Sequence, residues 1–139
     1  MRQATEEITI PTDGQALYEF TRHLRAFTAE SGVDAGLVTA FVRHTSASLL
    51  IQENADADVQ VDMLGFFRRL VPEGMTWLIH TMEGPDDMPA HIKSALTQTS
   101  IGIPVIGGRP VLGTWQGIYL FEHRHNPHRR SVVLHIIGD

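Results

Sequence analysis

Residues 100–137, SIGIPVIGGRPVLGTWQGIYLFEHRHNPHRRSVVLHII, are the stretch that decides the fold. Apolar and β-branched residues dominate three runs within it, and turn-forming residues separate the runs at 107–110 and at Asn126-Pro127. This alternation of apolar runs and turns is typical of consecutive strands, the last two joined as a hairpin. The predicted strands are 100–106, 111–122 and 131–137.

The preceding residues mix strands with three helices. Apolar residues at steps of three and four predict helices over Gln15 to Gly32, from a cap at Asn54 or Asp56 to Leu70, and over 90–98. Further strands are predicted at 5–10, 35–43, 49–52 and 77–79. Together these elements predict a single α+β domain of residues 1–139, with a mostly antiparallel or mixed sheet and about three helices.

The composition excludes several classes of protein. The chain has 139 residues, is 42% hydrophobic and carries a formal charge of −5, which argues against a nucleic-acid surface. The absence of cysteine excludes disulfides, thiol catalysis and Cys-ligated metals. We find neither a basic leader with an apolar segment nor an apolar run long enough to span a bilayer, so we expect a cytoplasmic protein without a membrane partner.

Histidine is the unusual component, with 8 in the chain, whereas Lys93 is the only lysine. Histidine is the commonest metal ligand and titrates near neutral pH, so the histidines direct the search for a site. Two common catalytic motifs are rejected. Gly108-x4-Gly113-Thr114 lacks the lysine of a phosphate loop, and no serine lies in a nucleophile elbow.

The first candidate site is His44-Thr45-Ser46 with Ser48, at the end of a predicted strand and shortly before Glu53-Asn54. A histidine and hydroxyls at a strand end can point together toward a ligand. The alternative is a polar turn, with Asn54 acting only as a helix cap.

The second candidate site lies between His80 and His91, which bracket the acidic residues Glu83, Asp86 and Asp87. Imidazole nitrogens and carboxylate oxygens suit a divalent cation. The alternative is an acidic loop whose aspartates cap the third helix and complement its dipole. That alternative accounts for Asp87 but leaves both histidines without a role.

Two further segments are candidates. The glycines of Gly113-Thr114-Trp115-Gln116-Gly117 indicate a bulge or a close approach to a ligand, or they make room for Trp115 in the core. In the segment 123–130, His123 and His125 would share a face of a strand and could bind a metal. The alternative for that segment, including His128, is a solvated hairpin tip whose arginines could bind an anion.

Three of these motifs, in this order, resemble the YjbQ-like family of small uncharacterised proteins, over about residues 5–138. They are His44-Thr45-Ser46 with Glu53-Asn54-Ala55-Asp56, Glu83-Gly84-Pro85 with Ala90-His91-Ile92-Lys93, and Leu112-Gly113-Thr114-Trp115-Gln116-Gly117-Ile118. The resemblance implies an α+β fold that assembles as a homotrimer, with polar clefts near the subunit contacts. It also implies thiamine-phosphate synthase activity. Met82 departs from similar proteins, which often have a polar or acidic residue there.

The resemblance and the residue chemistry together give three sets of site residues. The predicted metal ligands are His44, His80 and His91. The predicted catalytic residues are His44, Glu53, Glu83 and His91. The predicted substrate-binding residues are Thr45, Ser46, Asn54, Lys93, Thr114, Trp115 and Gln116. His23 and His135 are assigned no role.

Three functions are compatible with this site, whose cation would be Zn, Mg or Mn. The first is metal-assisted thiamine-phosphate synthesis from a pyrimidine diphosphate and a thiazole phosphate, with release of pyrophosphate. The second is metal-dependent hydrolysis of a phosphoester or an amide, with Glu53 or Glu83 as general base. The third is a non-catalytic trimer that binds a metal or an anion. In each case we expect a small phosphorylated or anionic ligand.

Overall fold

A computed structural model describes all 139 residues, in eight strands and three helices. The strands are β1 (Arg2–Asp13), β2 (Ala16–Glu19), β3 (Ala35–Val42), β4 (Ala47–Glu53), β5 (Ser100–Ile106), β6 (Arg109–Pro110), β7 (Gln116–Glu122) and β8 (Pro127–Gly138). The helices are α1 (Thr21–Ser31), α2 (Ala57–Leu70) and α3 (Asp87–Leu96). The predicted α+β class, with three helices and antiparallel sheets, is confirmed.

The larger sheet has five strands in the order β1-β8-β3-β5-β6, and every neighbouring pair is antiparallel. Its strands alternate between buried and exposed residues, as a sheet with one covered face requires. In β5 the buried residues are Ile101, Ile103 and Val105, and in β8 they include Val132, Leu134 and Ile136. Leu24 and Phe27 of α1 join the same core.

The smaller sheet has the order β2-β7-β4 and is covered on both faces around β7. Ile118 and Leu120 of β7 belong to the main core. Tyr119 and Phe121 point the other way, where they pack with Leu17 and with side chains of α2 such as Leu64 and Phe67. The continuous apolar run of β7 therefore reflects burial on both faces of the strand.

Three segments differ from their predicted conformation. The helix predicted from Gln15 begins only at Thr21, because Ala16–Glu19 pairs with β7 and buries Leu17 beside Tyr119. This tertiary pairing overrides the helical spacing of the apolar residues. The end of that helix is as predicted, since Gly32 is a left-handed cap with φ of +73°.

The strand predicted at 77–79 is wrong. Trp77 and Ile79 are exposed and find no partner strand, since the residues lie in a loop. The strand predicted over 111–122 begins only at Gln116, because a turn precedes it. The hairpin predicted between this strand and the last one is wrong, because β7 pairs within the smaller sheet and β8 within the larger one. None of the three helices has the length and hydrophobicity to cross a bilayer.

Candidate functional site

His80, Asp87 and His91 form the only cluster of three or more potential metal ligands, all of whose ligand atoms lie within 4.8 Å of one another. Asp87 begins α3 and His91 follows four residues later, so their side chains lie on one face of the helix. Oδ2 of Asp87 lies 2.7 Å from Nε2 of His80 and 3.0 Å from Nε2 of His91. The aspartate is almost fully buried, whereas both histidines reach solvent.

The tautomer of His91 is fixed by its second nitrogen. Nδ1 of His91 lies 2.8 Å from the carbonyl oxygen of Thr45, which can only accept, so Nδ1 carries the proton. In the neutral ring Nε2 then presents a lone pair to the Asp87 carboxylate. Two facing acceptors repel each other unless a proton or a cation lies between them, and this arrangement is the usual outer-shell geometry of a metal-ligating histidine.

Arg124, in the loop after β7, holds the acidic part of the cluster. Its Nη1 donates to Oδ1 of Asp87 at 2.7 Å, its Nε donates to Oδ2 of Asp86 at 3.0 Å, and its Nη2 donates to the carbonyl of Glu83 at 3.0 Å. The backbone N–H of His125 also donates to Asp86. The aspartates therefore bind an arginine instead of capping α3, and Asp86 makes no side-chain cap.

These contacts keep both aspartates ionised. Burial would raise the pKa of Asp87, but the hydrogen bond from His80 and the charges of His91 and Arg124 outweigh it and lower that pKa. Burial likewise opposes ionisation of Asp86, whose pKa is lowered by the His125 N–H and by Arg124. A carboxylate with a lowered pKa competes well for a cation at neutral pH.

His44, a predicted metal ligand, lies next to the cluster but is not part of it. The third potential ligand beside His80 and His91 is Asp87 instead. Nε2 of His44 accepts the Ser131 N–H at 2.8 Å, which fixes its ring. His44, Thr45 and His91 line one cavity of about 470 Å³, together with Arg43, Ser94 and Thr99. Burial and the charge of Arg130 lower the pKa of His44, so its ring is neutral in this cavity at pH 7.

Five of the other predicted residues lie together at the opposite end of β4: Glu53, Asn54, Thr114, Trp115 and Gln116. This strand of seven residues separates His44 from Asn54 by about 20 Å. Asn54 and Thr114 line a cavity with Glu19, to whose Oε2 the Asn54 amide donates. The structure therefore divides the predicted site into two groups within one chain.

The remaining members of that second group are engaged locally. The Glu53 carboxylate accepts the N–H of Asp56, and Oε1 of Gln116 accepts the N–H of Gly113. Trp115 is 62% exposed, so the expectation that the glycines make room for it in the core is wrong. Gly117 serves a close approach instead, because a Cβ there would lie 2.5 Å from the Glu19 carboxylate.

Ser46 contributes to a buried ion pair. Its hydroxyl accepts Nη2 of Arg130 at 2.9 Å, and Arg130 pairs with Glu122. Oε1 of Glu122 also accepts the hydroxyl of Thr12 at 2.6 Å. Burial disfavours the charge on Glu122, but hydrogen bonds from Arg130 and Thr12 lower its pKa below the ordinary value.

His123 is buried, so the interpretation of all three hairpin histidines as surface residues is wrong for this one. Nε2 of His123 lies 2.9 Å from the Ser48 hydroxyl, and Nδ1 has no hydrogen-bond partner. Burial lowers its pKa to about 3.

Sequence reasoning also missed Arg124 as the partner of Asp86 and Asp87. The Asp87–His91 spacing was the one signal that could have identified Asp87 as a ligand.

The fold and the cluster define a small α+β protein with a candidate His-Asp-His centre. The chain belongs to the UPF0047 family of YjbQ-like proteins, whose family model matches residues 6–139. The UPF0047 protein sll1880 of Synechocystis is 54% identical over 138 residues, covering 99% of this chain and 94% of its own. The UPF0047 protein YjbQ of Escherichia coli O157:H7 is 46% identical over 107 residues, covering 77% of each chain.

Solved structures share the fold. An uncharacterised YjbQ/UPF0047 protein of Clostridium acetobutylicum matches with a TM-score of 0.87 and 34% identity, over 95% of this chain and 99% of that one. The hypothetical protein APE1520 of Aeropyrum pernix matches with a TM-score of 0.89 and 29% identity, over 98% and 99% of the two chains. The names of these relatives specify no reaction.

Proposed function

We propose that this chain is a metal-dependent enzyme that acts on a small phosphorylated or anionic compound, with a divalent cation held by His80, Asp87 and His91. The observation that carries the proposal is the hydrogen bond from Nδ1 of His91 to the Thr45 carbonyl. It turns the Nε2 lone pair toward the same carboxylate oxygen that His80 approaches. The three donor atoms thus fit one cation.

The donor set favours Zn or Mn over Mg. Two imidazoles and one carboxylate suit a borderline cation, whereas Mg prefers an octahedral shell of oxygens. Three protein ligands leave a coordination position open, as catalytic zinc sites do. A cation bound there would polarise a substrate oxygen or lower the pKa of a bound water.

The surrounding side chains then have definite tasks. The Thr45 carbonyl orients His91, and Arg124 orients Asp87. The Nε2 lone pair of neutral His44 is occupied by the Ser131 N–H, so the Nδ1–H of its ring is the group that donates to a substrate oxygen in the adjoining cavity. Arg43 lies on the same wall, where its Nη1 pairs with Glu7 and its other nitrogens bind an anionic group. Glu53 and Glu83 are the two predicted general bases. Glu83 is the one nearer to the centre, because its backbone carbonyl accepts a hydrogen bond from Arg124.

Hydrolysis of a phosphoester or an amide is the reaction that this set favours, because its nitrogen-rich ligands suit a metal-activated water. Thiamine-phosphate synthesis, which the family resemblance implies, is the second candidate. The cavity of about 470 Å³ supports it, since that volume admits a phosphorylated ring.

We also propose the homotrimer implied by the resemblance, supported by the exposed apolar residues Phe66, Trp77, Ile79 and Met82.

Metal titration of stripped protein tests the centre. We expect one equivalent of Zn or Mn to bind in calorimetry, and His91→Ala to weaken binding by about 100-fold or more, since a ligand is lost. His44→Ala should bind as the wild type does, because His44 is not a ligand. The control is His135→Ala, on β8. Equal affinity in wild type and His91→Ala would contradict the proposed centre.

A second assay separates the reactions. Metal-loaded protein is given phosphoesters and amides in one series, and the pyrimidine diphosphate with the thiazole phosphate in another. Turnover in the first series that is lost in His91→Ala supports hydrolysis. Turnover in the second series that is lost in the same variant supports synthesis. Stoichiometric metal binding without turnover in either series would identify a non-catalytic binding protein.

A further inference from the structure

Lys93 lies on the side of α3 away from the metal-ligand cluster. It follows His91 by two residues, which is about 200° around a helix of 3.6 residues per turn. Although it is the only lysine of the chain, it is 4% exposed. Its ammonium makes no hydrogen bond and no ion pair within the chain, whereas every other buried charged side chain makes at least one.

Lys93 lines a cavity of about 240 Å³ that is separate from the one beside His91. The lining also includes Arg68, whose Nε donates to Oε1 of Gln15 at 3.2 Å. Gln15 is itself anchored, because its amide donates to the His123 carbonyl at 3.0 Å. This chain of bonds holds the guanidinium at the cavity, and its terminal nitrogens make no hydrogen bond within the chain.

The charge of the cavity wall is positive. Lys93 and Arg68 supply two cations, and the one carboxylate, Glu73, is paired with His125. The stem of Lys93 is buried, whereas its ammonium nitrogen is accessible at the cavity and has no hydrogen-bond partner, and an arginine fork matches the geometry of oxyanions. The Lys93 ammonium and the terminal nitrogens of Arg68 therefore line this small cavity without a hydrogen-bond partner, and Glu73 is the one carboxylate near them in its lining.

We propose that this cavity binds a small oxyanion, the phosphate or carboxylate group of a metabolite, with Lys93 and Arg68 as its ligands. The anion accepts hydrogen bonds from the ammonium of the buried residue Lys93 and from the guanidinium of the exposed residue Arg68. Gln15 and His125 limit the size of the group that enters. The site is independent of the metal centre, because no residue lines both cavities.

Calorimetric titration of metal-stripped protein with inorganic phosphate, and separately with malonate, tests this site. We expect saturable binding of at least one anion to wild type, and weakening by about tenfold or more in Arg68→Gln, since a charged hydrogen-bond donor is lost. Arg69→Gln is the matched control, because Arg69 neighbours Arg68 and does not line the cavity. Lys93→Met should abolish binding.

The two anions distinguish the sources of the oxyanion, since preference for phosphate indicates a phosphorylated metabolite and preference for malonate a carboxylated one. Unchanged binding in Arg68→Gln, or no binding of either anion up to about 10 mM, would overturn the proposal. The Arg68 variant keeps the test decisive if Lys93→Met fails to fold. His91→Ala should bind the anion normally, so failure of the metal centre and failure of this site give different results.

Discussion

Two arginines close together in the chain, Arg130 in β8 and Arg124 after β7, each bind a carboxylate. The two clusters differ in the other groups that hydrogen-bond to that carboxylate. In the first, Arg130 and Glu122 are both buried, and each Glu122 oxygen accepts from fixed donors: Arg130 and Thr12 at Oε1, Arg130 and the Arg124 N–H at Oε2. In the second, Arg124 takes only Oδ1 of Asp87 and leaves Oδ2 to two histidines.

This difference separates a structural ion pair from a candidate site. The donors on Glu122 are permanent, because arginine, a hydroxyl and a backbone amide keep their protons at neutral pH. The histidines on Asp87 present imidazole nitrogens, which can bind a metal as well as form a hydrogen bond, so a cation can take the place of the hydrogen bonds to Oδ2. The Glu122–Arg130 pair therefore leaves no place for a cation, whereas the Asp87 cluster can bind one.

The largest expected effect is that of Glu122→Gln on stability. Removing one partner of a buried pair leaves the Arg130 charge uncompensated, so we expect the free energy of unfolding to fall by about 3–5 kcal/mol. Urea unfolding measures it. The control is Glu7→Gln, which breaks the exposed pair with Arg43 and should change stability little. A loss as small as that of the control would mean that the Glu122 cluster is not structural.

The next effect is that of Arg124→Gln on metal binding. The glutamine no longer orients Asp87, so Zn affinity should fall by about 10- to 100-fold, as for other outer-shell groups. Titration of metal-stripped protein measures this fall. Arg129→Gln, at an exposed position, is the matched control. If both variants bind Zn equally well, Arg124 does not position the ligand.

The smallest effect is a difference in acid stability. Because the pKa of Glu122 is lowered in the folded state, the unfolded chain binds its proton first, and stability falls as the pH drops below about 4.3. Glu122→Gln lacks this titration. The stability gap between wild type and the variant should therefore narrow below pH 4, by at most about 1.4 kcal/mol per pH unit. A constant gap across pH 3–6 in urea unfolding would show that the pKa of Glu122 is not lowered.

Local sequence patterns predict most of the elements of the fold. Alternation located β5 and β8, and helical spacing located α2, because each of these elements has one buried face or one apolar stripe. The pattern failed at residues 16–19, where the partner strand β7 is a hundred residues away. No local signal encodes a pairing at that distance.

The candidate site was predicted in part. The spacing of His80 and His91 around an acidic loop points to the same loop and helix start at which the structure places the cluster of His80, Asp87 and His91. His44 was expected as a ligand because strand-end residues can converge, yet the hydrogen bond from Ser131 fixes its ring beside the cluster. The partnership of Arg124 with Asp86 and Asp87 depends on the docking of two distant loops, which composition and spacing do not report.

The strand order also has a consequence for how the chain folds. β8, which follows every other element in the chain, lies in the interior of the larger sheet, where it pairs with β1 over 12 residues and with β3 over seven. Until β8 is synthesised, β1 and β3 expose strand edges with nothing between them. The larger sheet is therefore completed late during synthesis, and the long sequence separation of β1 and β8 favours slow folding.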